Sequence, residues 1–209
     1  MNKTKRKIFE ASMKLFAQKG YDATSIEEIT ATVGVAKGTL YYHFSSKEEI
    51  FKFLVEEGVK LLKNSIAIKT DKLTNSIDKI RAVVLIELKV LVKYESFMTI
   101  ILSEIWGTGT RSKMCRDYVF EYIQMIQEIV EEGIKKEEII EANPNVIASG
   151  IFGFVCSSLI YKLRREKNIE VPELFNEIDK SFIKKLKRWY NYNHLNTNSQ
   201  GGGDYFLLP

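Results

Sequence analysis

Apolar residues recur every three to four positions along most of the chain, and strand-like alternation is nearly absent, which predicts an all-α protein. Ile8, Ala11, Leu15 and Phe16 share one face of a first helix that stops at Gly20, a residue suited to the left-handed backbone just past a helix end. A short second helix starts at Thr24 or Ser25, either of which pairs with an acid three residues on, Glu27 or Glu28, in a capping box. Ile26, Ile29 and Val33 form its inner face, and Gly34 ends it. Val35-Ala36 is a tight turn into a third helix over 37–44, with Leu40 and Phe44 facing inward. Ser46-x-x-Glu49 opens a fourth, whose core face reads Ile50, Leu54 and Leu61, with Gly58 as a kink point.

Beyond residue 65 the helices lengthen: 76–94, 97–106, 113–136, 145–167 and 172–192. Only three prolines interrupt the chain. Residues 196–203 are polar and glycine-rich, which reads as linker, and 204–209 stand outside the fold argument. The expected organisation is a helix-turn-helix domain over 1–47, a helical regulatory and dimerisation domain over 48–192, and a flexible tail over 193–209. Residues 142–161 carry no charge and are long enough to span a bilayer, yet Asn143, Pro144, Asn145, Ser149, Ser157 and Ser158 dilute them. A buried or interface helix is the expectation there, with no membrane partner.

Composition narrows the function. Apolar residues make up 45% and charged residues 28%, as in ordinary globular proteins. A formal charge of +4 permits a nucleic-acid partner without demanding one. Residues 1–60 hold ten Lys/Arg and eight Asp/Glu, so the placement of groups must carry any DNA argument. Cys115 and Cys156 lie far apart in apolar stretches and read as buried thiols in a reducing cytoplasm. The basic N-terminus is followed by an amphipathic pattern, which is not that of an export signal. His43 and His194 are the only histidines, and no HExxH, GxSxG, P-loop or dinucleotide motif occurs, so an enzyme is not expected, nor a cofactor or metal.

The segment 25–44 is the informative one. Two short helices joined by a tight glycine turn hold each other at a steep angle and present the second to a DNA major groove. That helix is about 12 Å long at 1.5 Å per residue. Lys37 and Thr39 stand in its first turn, Gly38 lets the backbone come close, and Tyr41, Tyr42 and His43 are three hydrogen-bonding aromatics in a row. Lys47, and Thr24 or Ser25, stand at helix starts where phosphates are favoured.

Residues 8–50 resemble the DNA-binding domain of the tetracycline-repressor (TetR) family. The likeness is carried by Ile8, Ala11, Leu15, Phe16, Gly20-Tyr21, Thr24-Ser25, Ile29, Gly34-Val35, Lys37-Gly38-Thr39-Leu40-Tyr41, His43-Phe44 and Lys47-Glu48. It implies a homodimer on a palindromic double-stranded DNA operator, most often a repressor released by a small molecule. It also implies DNA contacts from Thr24 or Ser25, Lys37, Gly38, Thr39, Tyr41, Tyr42, His43 and Lys47. Glu27 departs from the pattern, standing where some members have a basic residue; it is expected to cap the helix or accept from a cytosine amino group. Thr30 and Val33 replace the usual alanine.

In that family the last two long helices build the dimer. Here Gly150, Gly153 and Ser157 would let helices approach, and Phe182, Leu186 and Trp189 would fill the interface. Tyr94, Phe97, Met98, Trp106, Tyr118, Tyr122, Met125 and Phe152 are the candidate lining of a pocket for an apolar or aromatic ligand. Glu87 and Glu104, in apolar stretches, could meet a cationic group, pair with Arg81 or face solvent. The alternative is a helical module acting through protein contacts without DNA binding.

Overall fold

Capping chemistry sets the first helix boundaries in the computed structural model, which describes residues 3–166 and 168–187. α1 (Lys3–Lys19) is followed by α2 (Ile26–Val33), which takes the Ser25 and Glu28 pair as its box. Ser25 Oγ accepts from the Glu28 N–H at 3.1 Å, and the Glu28 carboxylate accepts from the Ser25 N–H at 3.0 Å. Gly34, at φ 74°, lets the chain reverse in the left-handed region, and its N–H returns to the Thr30 carbonyl. α3 (Lys37–His43) follows after two residues. α4 (Lys47–Thr70) begins under a shifted box. Ser46 Oγ accepts from the Glu49 N–H, but the Glu49 carboxylate accepts from Ser45 N–H and Oγ–H, both at 2.6 Å.

Ile8, Phe16, Ile29, Leu40, Phe44, Ile50, Phe51 and Leu54 close one apolar centre under these four helices. Leu40 and Phe44 are almost completely buried, each stabilising the seat of α3 by about 1.5–3 kcal/mol. α4 belongs to both halves, because beyond Leu54 it runs on to pack against α5 (Ser76–Lys93) and α7 (Thr110–Lys135). Residue 47, the expected domain boundary, is therefore the first residue of a continuous helix. Leu61, expected inward, is 43% exposed, and Leu62 takes the buried position.

α6 (Glu95–Ile105) lies against α1 and α7, and α8 (Pro144–Leu163) packs most extensively on α7. The expected last helix is broken: α9 (Val171–Ile178) passes through a π turn (Asp179–Ile183) into the single turn α10 (Lys184–Leu186). The π turn sets Asp179 against Arg81 at 2.8 Å and stacks Phe182 on Phe154, centroids 5.1 Å apart. No strand occurs among the described residues, and the bridge from Ile139 to Lys187 ties the end of α10 to the segment after α7. α8 is long and apolar enough to cross a membrane by composition, with a mean hydropathy of 1.7. Only 33% of its apolar window is buried within the protomer, leaving Val146, Gly153, Ser157, Ile160 and Tyr161 exposed on the outer side.

Candidate functional site

Seating α3 on Leu40 and Phe44 leaves the opposite face to solvent. Lys37, Gly38, Thr39, Tyr41 and Tyr42 are all exposed, Tyr42 at 84%, and His43 is half-buried with its ring edge-on to Tyr42. Nothing lies within 4 Å of where a Cβ would stand at Gly38, so a partner's backbone could approach there. Lys37 Nζ lies 2.6 Å from the Glu27 carboxylate across the turn and 5.9 Å from the Tyr41 ring centre. The Glu27 carboxylate thus does not point free to a base; the hydrogen bond from Lys37, and a second from its own N–H in the first turn of α2, hold its carboxyl below the ordinary glutamate range.

Two expected DNA contacts are redirected. Thr24 is 1% exposed and its hydroxyl donates to the Gly20 carbonyl at 2.8 Å, so its side chain faces the fold and not a phosphate. Lys47 Nζ donates to the carbonyls of Tyr21 (2.9 Å), Thr24 (2.8 Å) and, at longer range, Asp22 (3.4 Å). An ammonium has three donors, and all three serve the α1–α2 connection. Ser25 is half-buried in its capping box. Thr30 is buried, its hydroxyl returned to the Glu27 carbonyl, and Val33 is half-buried.

Arg111, at the start of α7, was not singled out by sequence and joins the two halves. Its Nε donates to Glu104 at 3.0 Å, its two terminal nitrogens reach the Asp22 carboxylate at 3.3 Å, and its guanidinium stands over the Tyr21 ring. Glu104 accepts also from Ser112 Oγ–H at 2.7 Å, which settles its partners as protein groups.

The eight expected ligand-lining residues do not form one site. Tyr94 and Phe97 border a cavity of about 320 Å³ between α1, α4 and the α5–α6 corner. Tyr122 and Phe152 meet edge-on deep between α7 and α8, where the Tyr122 hydroxyl donates to the fully buried Glu87 at 2.9 Å. Burial raises the Glu87 carboxyl to about 8. Met98 is core, Met125 is half-buried against it, and the Tyr118 hydroxyl donates to Glu56 at 2.5 Å on the outside of α4. Trp106, at the C-terminal end of α6, is 88% exposed and lines no interior space, because the chain turns into the Gly107 loop there. The residues missed are Phe9 and Met13, which carry the α1 wall of the cavity. Their i, i+4 spacing beside the main apolar stripe of α1 was the available signal.

Of the expected dimer residues, Gly153 and Ser157 are exposed, and Gly150 and Phe182 are half-buried. Leu186 is 5% exposed and packs within its own protomer. Trp189 and the tail from 193 lie outside the described residues.

A small helical head with an exposed second helix, set on a larger helical bundle, defines a helix-turn-helix protein. Residues 8–54 match the profile of the bacterial regulatory proteins, tetR family. The chain is 39% identical over 74 residues to IcaR of Staphylococcus aureus, the biofilm operon icaADBC HTH-type negative transcriptional regulator. That alignment spans 35% of this chain and 40% of the relative, so the chain matches less than half the length of such curated relatives. A Clostridium perfringens protein described as a candidate fatty acid metabolism regulator is 32% identical, with a TM-score of 0.81 over 86% of this chain and 97% of that one. The transcriptional regulator FadR of Bacillus subtilis, solved with stearoyl-CoA, shares the fold at 19% identity and a TM-score of 0.77, over 86% of this chain and 98% of that one. The chain belongs to the tetR family.

Proposed function

We propose that the chain is a cytoplasmic, homodimeric, ligand-responsive transcriptional repressor, and not an enzyme. Two α3 helices read the half-sites of a palindromic operator, and a small apolar or aromatic effector releases it. The observation that carries this is α3 itself: its inner residues Leu40 and Phe44 are buried while Lys37, Thr39, Tyr41 and Tyr42 stand exposed together on a rigid seat. Ser25 and Gly38 complete the DNA face, and His43 edges it. Residues 1–47 act as the reading head, 48–192 as the regulatory and dimerisation body, with α4 rooted in both.

The outer stripe of α8 supports the dimer. Val146, Ile160 and Tyr161 expose apolar surface around the small Gly153 and Ser157, a surface that a second copy would cover. The stearoyl-CoA bound by FadR and the negative regulation ascribed to IcaR support a repressor with a lipophilic effector. Selection of the purified chain against random duplex DNA at fixed salt, with mass measured by light scattering, tests the reading. A two-fold-symmetric motif bound by a dimer is expected. Binding of no duplex at low salt, with an intact dimer, would replace it with a module acting through protein contacts.

A further inference from the structure

The cavity at the junction of the two halves has features that neither the head nor the body explains. Its walls are apolar: Phe9 and Met13 from α1, Leu61 from α4, Val90 from α5, Tyr94 at the corner and Phe97 from α6. Leu61 leaves 43% of its surface in water, and Phe9, Met13, Val90 and Tyr94 are only half-buried, so the fold closes around them incompletely. The floor is made by the Phe97 ring lying directly on Gly58, where any side chain on α4 would collide with it. At about 320 Å³ the space lies at the lower end of the range that holds small ligands.

The rim carries a sign. Arg6 and Glu10 pair with each other at 2.9 Å, one turn apart on α1. Glu57 across from them pairs loosely, with Lys60 at 3.9 Å. The lining groups therefore leave one carboxylate in excess over apolar and aromatic walls. The Lys93 ammonium, outside the lining, stands 5.2 Å from the Tyr94 ring centre.

We propose that this junction groove is the effector site, and that it takes a small amphiphile with an apolar body and a single cationic head. The body lies between α1 and α4 on Phe97; the head stays at the rim beside Glu57. An occupant there touches α1 of the reading head and α4 of the body at once, so binding bears directly on how the head is held. The coupling to DNA rests on the function proposed above; the binding does not.

Thermal unfolding of the full chain with decyltrimethylammonium, decanol or decanoate, each below its micelle concentration, tests the site in wild type, Leu61→Trp and Glu57→Gln. At about ten times its Kd the cation should raise Tm by about 3–6 °C. Leu61→Trp, filling the groove from a partly exposed position, should abolish the rise. Glu57→Gln should weaken the cation about 5-fold and leave decanol unchanged. A rise that survives Leu61→Trp, or absence of any rise in wild type, would overturn the site. Decanoate binding as tightly as the cation would overturn its charge preference. Titration of the cation into a complex with the selected duplex should release the DNA. Release that persists in Leu61→Trp would overturn the coupling, and failure of the ligand-free protein to bind DNA would leave the unfolding data standing on their own.

Discussion

The guanidinium of Arg111 lies 3.9 Å from the centre of the Tyr21 ring, and the ammonium of Lys47 lies 4.3 Å from the same centre. One aromatic ring in the connection after α1 thus gathers a cation from α7 and a cation from the first turn of α4. Both cations are held from behind, Arg111 by Glu104 and Lys47 by main-chain carbonyls. The body is fastened to the head at the residue where the head turns from its first helix to its second.

Arg111→Ala should cost about 1–2 kcal/mol, the sum of a ring contact and a partly shielded ion pair whose Asp22 arm is solvent-screened. Urea denaturation read by circular dichroism measures it. In a double-mutant cycle with Glu104→Gln the two losses should be less than additive; strict additivity would mean that the pair carries no coupling.

Glu27→Gln should tighten binding to duplex DNA a few-fold at low salt. Glu27 holds Lys37 at 2.6 Å on the face proposed to meet phosphates, so its removal frees one ammonium and deletes one repelling charge. Fluorescence anisotropy across a salt series should show a steeper slope of log K against log salt. An unchanged slope would place Lys37 away from the backbone.

Glu87→Gln should remove a pH dependence of stability. The free carboxyl titrates near 4.5, whereas burial raises Glu87 to about 8 in the folded chain. Between those values the unfolded chain has lost the proton and the folded chain keeps it, so wild type loses stability as pH rises through that window. Gln retains an acceptor for Tyr122 and does not titrate. The variant's stability relative to wild type, followed by thermal unfolding, should therefore grow from pH 5 to pH 8.5, toward a few kcal/mol at most. A gap constant with pH would contradict the assignment.

Gly58→Ala should destabilise by about 1–3 kcal/mol, because its methyl group would collide with the Phe97 ring in a packed setting. Phe97→Leu in the same background should recover part of the loss. If Gly58→Ala instead melts with wild type, the ring is free to swing aside and the floor of the groove is soft.

Helix existence was legible in the sequence because its determinants are local. Ser25 with Glu28, and Gly34 at its left-handed φ, all act within one turn of where they stand. The seat of α3 was legible for the same reason, since Leu40 and Phe44 lie four apart on one face. The roles that could not be read depend on partners distant along the chain. Lys47 is spent on carbonyls 23 to 26 residues earlier, and Arg111 reaches back 89 residues to Asp22. The ligand residues failed as one set because an aromatic residue in a helix announces burial but not its neighbours. Trp106 and Tyr122 look alike in sequence, and one stands in water while the other is sealed against Glu87. The proposed groove was hidden because one of its walls, Phe9 and Met13, belongs to α1, on the far side of the boundary drawn at 47.

The unbroken run of α4 makes it a lever. Its 24 residues extend about 36 Å at 1.5 Å per residue, with the N-terminal end rooted under α3 and the other end in the bundle. A tilt of about 5° about its far end would carry the near end about 3 Å, and two copies tilting in opposite senses would change the separation of their α3 helices by about 6 Å, half the width of a major groove. So small a rotation would leave every helix intact and still put two reading heads out of step with the pitch of a duplex.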